Sequence, residues 1–441
     1  MKNLYFLLMV LFSTVAFGNN ILVQNVTTTG NNATNKTIQV QFDMSWDNSW
    51  RDSINWDAAW VFLKFKNASG VWQHAQLNTT GFANGNGTAN TMQVTSDKVG
   101  CWVYRSAQGS GTFNSTTMQL QWNYGLSGLT SVTGLEVRVF AVEMVYVPEG
   151  DFNCAKDFYF SGSSSGSLTA PGQNLPVMNT KITPSLTYND GTATTLRIKG
   201  DAGLDTDNNG TIDNTSYPTG YRHFYCYKYE MTEQQYADFL NTLTATQRTT
   251  LGVAGTGITL SNGQYFSSTP NKACGNATAA RLFAYADWSG VRPMSFLEFN
   301  KASYGPLQPV YNTSCCPNPN GYSAWGTSNS RPTNFVVLNS TCSNIANVGY
   351  AGSSTSTRAN SGASYYGVLD LSGNVIEPVV NLKYTSLTST NGNGVLSSTG
   401  VTDVATWNST GMMIFIDMTR PQAWDNQISP GYGFRYVRSA E

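Results

Sequence analysis

From Ile38 to Trp46 every second residue is apolar: Ile38, Val40, Phe42, Met44 and Trp46 alternate with polar neighbours. That period belongs to a strand with one face in a core and one in water. Val61, Leu63 and Phe65 repeat it after Trp60, as do Met118, Leu120 and Trp122, and then Leu135, Val137 and Val139. Clusters of Gly, Asn and Ser, such as Asn84-Gly85-Asn86-Gly87, separate the runs. Short strands divided by such turns predict an all-β sandwich over residues 19–141. Trp46, Trp50, Trp56 and Trp60 crowd one part of it. Their density fits buried packing better than an exposed sugar-stacking patch.

Residues 142–441 carry a different signature. Thr232 with Gln235 forms a capping box, and Tyr236, Phe239, Leu240 and Leu243 follow at helical spacing. Ser295 with Glu298 forms a second box ahead of Phe299. The remainder reads as loops and short strands. The expected fold class is therefore α+β, an N-terminal β-sandwich followed by an irregular second domain.

Lys2 is the only charged side chain before the mostly apolar run Leu4–Phe17, and Ala16-Phe17-Gly18 offers small residues for cleavage. Residues 1–18 are thus expected to be a secretory signal peptide, with the mature chain starting near Asn19. The run is shorter than the ~20 residues a membrane span needs, so no stable membrane insertion is expected. The expected location is secreted, extracellular or at the cell surface, with the periplasm as the nearer stop. Charged residues are 12% of the chain and net charge is −1. A surface without a basic patch does not neutralise phosphates, which argues against nucleic acid as a partner. Near-zero net charge favours contact between copies, so self-association into homo-oligomers or filaments is expected. Of seven cysteines, Cys274, Cys315, Cys316 and Cys342 lie closest together. They are the disulfide candidates in an oxidising compartment.

Asp205-Thr206-Asp207-Asn208-Asn209-Gly210-Thr211-Ile212-Asp213 has the form of a short calcium loop. Oxygen ligands from Asp205, Asp207 and Asn209 converge because Gly210 permits the sharp turn. Thr211 adds its carbonyl, and Asp213 binds directly or through water. Ser216 stands where a full EF-hand has Glu, so the loop is isolated. An unliganded Asx-rich turn is the alternative. Asn-x-Ser/Thr triplets are frequent, and Asp52-Ser53-Ile54 resembles an O-glycosylation signal of some exported bacterial proteins.

Four segments, in order, resemble the formylglycine-generating enzyme family, also called sulfatase-modifying factors. Glu143–Phe152 resembles its opening strand and turn. Tyr229-Glu230-Met231-Thr232 through Phe239-Leu240 resembles its "Y-E-V-T-x-x-Q-Y-x-x-F" helix. Gly367–Glu377 resembles "G-L-x-D-M-x-G-N-V-W-E", and Gly433-Phe434-Arg435 resembles the closing "G-F-R". The resemblance covers roughly residues 143–441 and implies an irregular fold related to C-type lectins. It also implies calcium held by side-chain oxygens of Asp370 and Glu377 and by the carbonyls of Gly373 and Val375. Asn374 is expected to fix the turn. The family's oxidising members hold copper through two cysteines between the last two segments, yet residues 378–432 contain no Cys. Without thiolates that copper site does not form there. His74 and His223 stand alone in sequence. No catalytic residue is therefore assigned, and the expectation is a secreted, non-catalytic structural or adhesive protein. The alternatives are a module binding a sugar or protein ligand, and an oxidase with a relocated site.

Overall fold

The computed structural model describes residues 20–154, 180–182, 214–306, 345–349, 363–371, 374–380, 386–407, 413–416 and 432–441. The Asp205–Asp213 loop, Gly373, Cys315, Cys316 and Cys342 lie outside the described residues.

The N-terminal strands are β1 (Leu22–Asn32), β2 (Thr37–Arg51), β3 (Asp57–Lys66), β4 (Trp72–His74), β5 (Asn86–Gly87), β6 (Asn90–Val94), β7 (Cys101–Arg105), β8 (Gly109–Asn123) and β9 (Glu136–Val147). Later come β10 (Phe152–Cys154), β11 (Thr180–Ile182), β12 (Phe224–Tyr227), β13 (Ile258–Ser261), β14 (Gln264–Ser267), β15 (Arg292–Pro293), β16 (Glu377–Val380), β17 (Met413–Ile416) and β18 (Tyr436–Ser439). The helices are α1 (Glu233–Leu240), α2 (Ala245–Leu251), α3 (Ala279–Ser289) and α4 (Phe296–Tyr304). Strands outweigh helices, and the fold is a β-rich α+β arrangement.

Two sheets organise it. A four-stranded sheet runs β1-β2-β8-β5, and an eight-stranded sheet runs β15-β18-β12-β9-β3-β7-β6 with β4 added beside β3. The apolar face of β2, from Ile38 to Trp46, packs with Ala59, Val61, Leu63 and Phe65 of β3 and Met118, Leu120 and Trp122 of β8. The opposite face of β3 carries Ala58, Trp60 and Phe62 into a second core, shared with α1, α3 and α4. The large sheet is thus the middle of three layers. That is why β3 is buried on both faces, from Asp57 through Phe65, instead of on alternate residues. Trp46 and Trp60 are fully buried, while Trp50 and Trp56 are partly buried.

Strand β9 joins the two halves. It pairs with β3 from Asp57↔Val145 to Lys66↔Glu136, and with β12 from Phe224↔Val147 to Tyr227↔Met144. The expected boundary at 141/142 therefore falls inside one strand of a continuous sheet. At the far side β1 is an edge strand, exposed along almost its whole length. Two bulges interrupt its pairing, near Asn25 (φ 53°) and Gly30 (φ 62°). Bulges of this kind twist an edge away from casual pairing.

Both expected capping boxes are present, at Thr232–Gln235 and Ser295–Glu298. Two further helices went unread. Helix α2 is a seven-residue helix with its own box, Thr244–Gln247. Helix α3 is buried from Leu282 through Ser289, so its sequence shows no polar face to set a period.

Cys274 departs from expectation. It is a free thiol, buried in the second core, with Sγ 3.8 Å from the Gly275 carbonyl. Burial pushes it well above the usual thiol range, so it behaves as a small apolar side chain. Cys101 and Cys226 are likewise free and buried.

Candidate functional site

Three of the four segments singled out in the sequence meet around Arg435, and the first, Glu143–Phe152, joins them through the Lys228 N–H bond to the Glu143 carbonyl. The Arg435 side chain is fully buried. Its Nε donates to Glu377 Oε1 (3.0 Å), Nη1 to the Tyr227 carbonyl (2.9 Å) and Nη2 to the Leu369 carbonyl (2.8 Å). One guanidinium thereby ties together β18, β16, the end of β12 and the Gly367–Leu371 turn. Backbone bonds add to the knot. Met231 N–H donates to the Phe434 carbonyl, Gly433 N–H to the Ile376 carbonyl, and Lys228 N–H to the Glu143 carbonyl.

Asn374 takes the left-handed conformation (φ 59°). Its Oδ1 accepts from Ala346 N–H at 2.8 Å, and its Nδ2 donates to Glu230 Oε2. Glu230 Oε1 accepts from Val375 N–H at 3.0 Å. Asn374 therefore ties its turn to Ala346 and Glu230 by hydrogen bonds. Asp370 also sits at positive φ (61°), and its Oδ2 accepts from Gly349 N–H. Burial, then the charges of Asp370 and Glu377, hold the Glu230 carboxyl well above the usual carboxylate range. Burial raises Asp370 too, opposed by the Gly349 N–H and by Arg435.

Glu230 is the residue that sequence reading missed. It lay inside a quoted motif, but its partner Asn374 is 144 positions away. Glu230, Asp370 and Glu377 surround a single guanidinium, so the cluster is two negative charges in excess if all three ionise. Hard oxygens with that excess suit a hard cation in donor chemistry. The geometry is less accommodating. Asp370 Oδ2 is committed to Gly349 and Glu377 Oε1 to Arg435, and among the described residues no three His, Cys, Asp or Glu side chains gather as a metal-binding group.

The two histidines are far from this knot in role. His223 Nδ1 lies 3.1 Å from the Tyr146 hydroxyl. His74 is buried, its Nε2 2.8 Å from the Val99 carbonyl. The Thr390–Gly394 run is docked onto α3. Asp287 Oδ1 accepts from Asn393 N–H, its carbonyl accepts from Gly394 N–H, and Lys64 Nζ donates to the Gly394 carbonyl.

Gly433 shows how closely the knot is packed. A Cβ there would lie 2.1 Å from Val375 Cγ2 and 2.8 Å from Val375 Cβ. Gly433→Ala should destabilise by about 1–3 kcal/mol through overpacking. A urea denaturation midpoint equal to that of the parent would refute this.

No protein-family model matches the chain, and no curated protein matches it.

Proposed function

We propose that this chain is an exported, non-catalytic structural protein that self-associates at the cell exterior, with a formylglycine-generating-enzyme-like unit fused to a β-sandwich. One observation carries the reading: three of the family-like segments, those holding Glu230, Leu369 to Glu377, and Arg435, spend their polar groups on one another as framework. The continuous sheet through β9 supports it, because force applied to one half passes to the other through backbone hydrogen bonds. Between its two bulges the exposed edge of β1 keeps a short regular run, Thr27 to Thr29, that can pair with a neighbouring copy. If copies meet head to tail through unlike surfaces, growth stays open and gives a filament.

The test is light scattering and electron microscopy of the mature chain at high concentration in calcium. Ordered polymers are expected. Val26→Lys with Thr28→Lys places two charges on the β1 edge and should abolish them without lowering the melting temperature. A strictly monomeric parent chain would overturn the reading in favour of a soluble binding module.

Calcium is the proposed cofactor, with the Asp205–Asp213 loop as its first contact; at Asp370 and Glu377 it competes with the Gly349 and Arg435 bonds. Binding to the folded state alone raises stability by mass action. The melting temperature should therefore rise in calcium over chelator. Coincident melting curves would remove calcium and leave the acid excess to a proton on Glu230.

A further inference from the structure

Apart from the Arg435 knot, a second buried ionic group links the two halves of the molecule. Lys228, just after β12, reaches into the sandwich side of the large sheet. Its Nζ donates to Asp57 Oδ2 (2.9 Å), Glu143 Oε2 (2.9 Å) and the Asn48 carbonyl (3.0 Å). The three side chains are 0–2% exposed. Asp57 opens β3, Glu143 lies on β9, and Lys228 N–H bonds the Glu143 carbonyl. The donor amine and the carboxylate are thus held across the intervening strand by sheet register, not by flexible loops.

Asp57 is held by donors on both of its oxygens. Oδ1 accepts from Trp50 N–H (2.9 Å) and the Ser49 hydroxyl (3.1 Å), and Oδ2 accepts from Trp46 Nε1 (2.9 Å). Trp46 is itself stacked on Phe113 at 3.9 Å, and Tyr229 lies beside the lysine, 5.5 Å from Nζ to the ring centre. Water is excluded, and the groups sit within hydrogen-bond reach of one another. Positioning of this kind replaces a bimolecular encounter.

We propose that Lys228 and Asp57 condense to an intramolecular isopeptide bond, with Glu143 as the proton shuttle. Although burial alone would discharge Lys228, Asp57 and Glu143 hold its ammonium charged, so a proton first passes from Nζ to Asp57 Oδ2 along their hydrogen bond. The neutral amine then attacks Asp57 Cγ and the Nζ–Cγ bond forms. Trp50 N–H and the Ser49 hydroxyl hold the negative charge that develops on Oδ1. Glu143 takes a proton from Nζ and returns one to the Oδ2 hydroxyl. The Cγ–Oδ2 bond breaks and water departs. Ammonium plus carboxylate gives amide plus one water, no electrons change hands, and Glu143 ends as it began. Burial, partly offset by Lys228, pushes the Glu143 carboxyl up to about 7, which suits it to exchange a proton in either direction near neutral pH. The link also disposes of a buried ion pair, whose desolvation offsets much of its attraction.

The experiment is intact-mass spectrometry of the folded, full-length mature protein under denaturing conditions, followed by peptide mapping. The expected mass is lower than the sequence mass by one water, with a branched peptide joining Lys228 to Asp57. Lys228→Met should restore the full sequence mass. Asp57→Asn should lose ammonia in place of water. Glu143→Gln, checked for folding by circular dichroism, should keep the full mass. A parent protein of full sequence mass, giving separate linear peptides for Lys228 and Asp57, would overturn the proposal. A linked Glu143→Gln variant would overturn the role of Glu143.

Discussion

Arg435→Met should lower stability by about 3–5 kcal/mol, the cost of breaking a buried ion pair and stranding its partner. The substitution keeps much of the side-chain volume, so the loss measures electrostatics and hydrogen bonds more than packing. Three acceptors lose their donor at once: Glu377 Oε1 and the carbonyls of Tyr227 and Leu369. Glu377, Asp370 and Glu230 are then left without the guanidinium that offsets their charge. A loss of this size is a large fraction of the 5–15 kcal/mol that typically separates folded from unfolded chains. Urea denaturation followed by tryptophan fluorescence gives the number. The double variant Arg435→Met with Glu377→Gln should recover part of the loss, because the stranded carboxylate is then neutral. A single variant within about 0.5 kcal/mol of the parent, the range of ordinary surface substitutions, would mean that Arg435 does not hold its neighbouring segments together.

The same knot marks where sequence reading succeeds and where it stops. Alternation found β2 because one face of that strand meets the core and the other is less deeply buried. It understated β3, since Trp60 and Phe62 are covered by α3, which begins more than two hundred positions later. Capping boxes located α1 and α4 because Thr232 and Ser295 use local backbone donors. Helix α3, buried on nearly every side, gave no periodic contrast. The segments around Glu230, Asn374 and Arg435 were legible as local motifs, and Asn374 ties its turn to Ala346 and Glu230. What they bind was not legible. Glu230 meets Asn374, Lys228 meets Asp57 across 171 positions, and Lys64 meets Gly394 across 330. Nothing local in composition or spacing encodes such pairings.

The seam holding Lys64 also gives the protein an acid-sensitive contact at His74. The two residues face each other across β3 and β4. Among the described residues Lys64 Nζ has the carbonyls of Trp288 and Gly394 as its hydrogen-bond partners, and burial holds it well below the usual lysine range. Arg438 of β18 adds positive charge, while Asp287 of α3 is the acid nearest in effect. Burial, reinforced by Lys64 and Arg438, holds His74 well below its ordinary value of 6.5. Its folded pKa is therefore lower than its unfolded one. The unfolded chain binds the extra proton first as pH falls, and stability is lost below about pH 6.5 at up to about 1.4 kcal/mol per pH unit. Glu143, pushed up to about 7, and Asp238, pushed up to about 6, act with the opposite sign, because the folded state holds their protons more tightly. The parent curve alone would hide the histidine beneath them. His74→Gln retains a donor for the Val99 carbonyl and does not titrate, while the acid contributions stay common to both proteins. The stability difference, parent minus variant, should be flat above about pH 7.5 and fall as pH drops below about 6.5, at no more than about 1.4 kcal/mol per pH unit. Urea denaturation of both proteins across that range provides the comparison, and parallel curves from pH 7.5 to pH 5 would show that the seam tolerates a protonated His74.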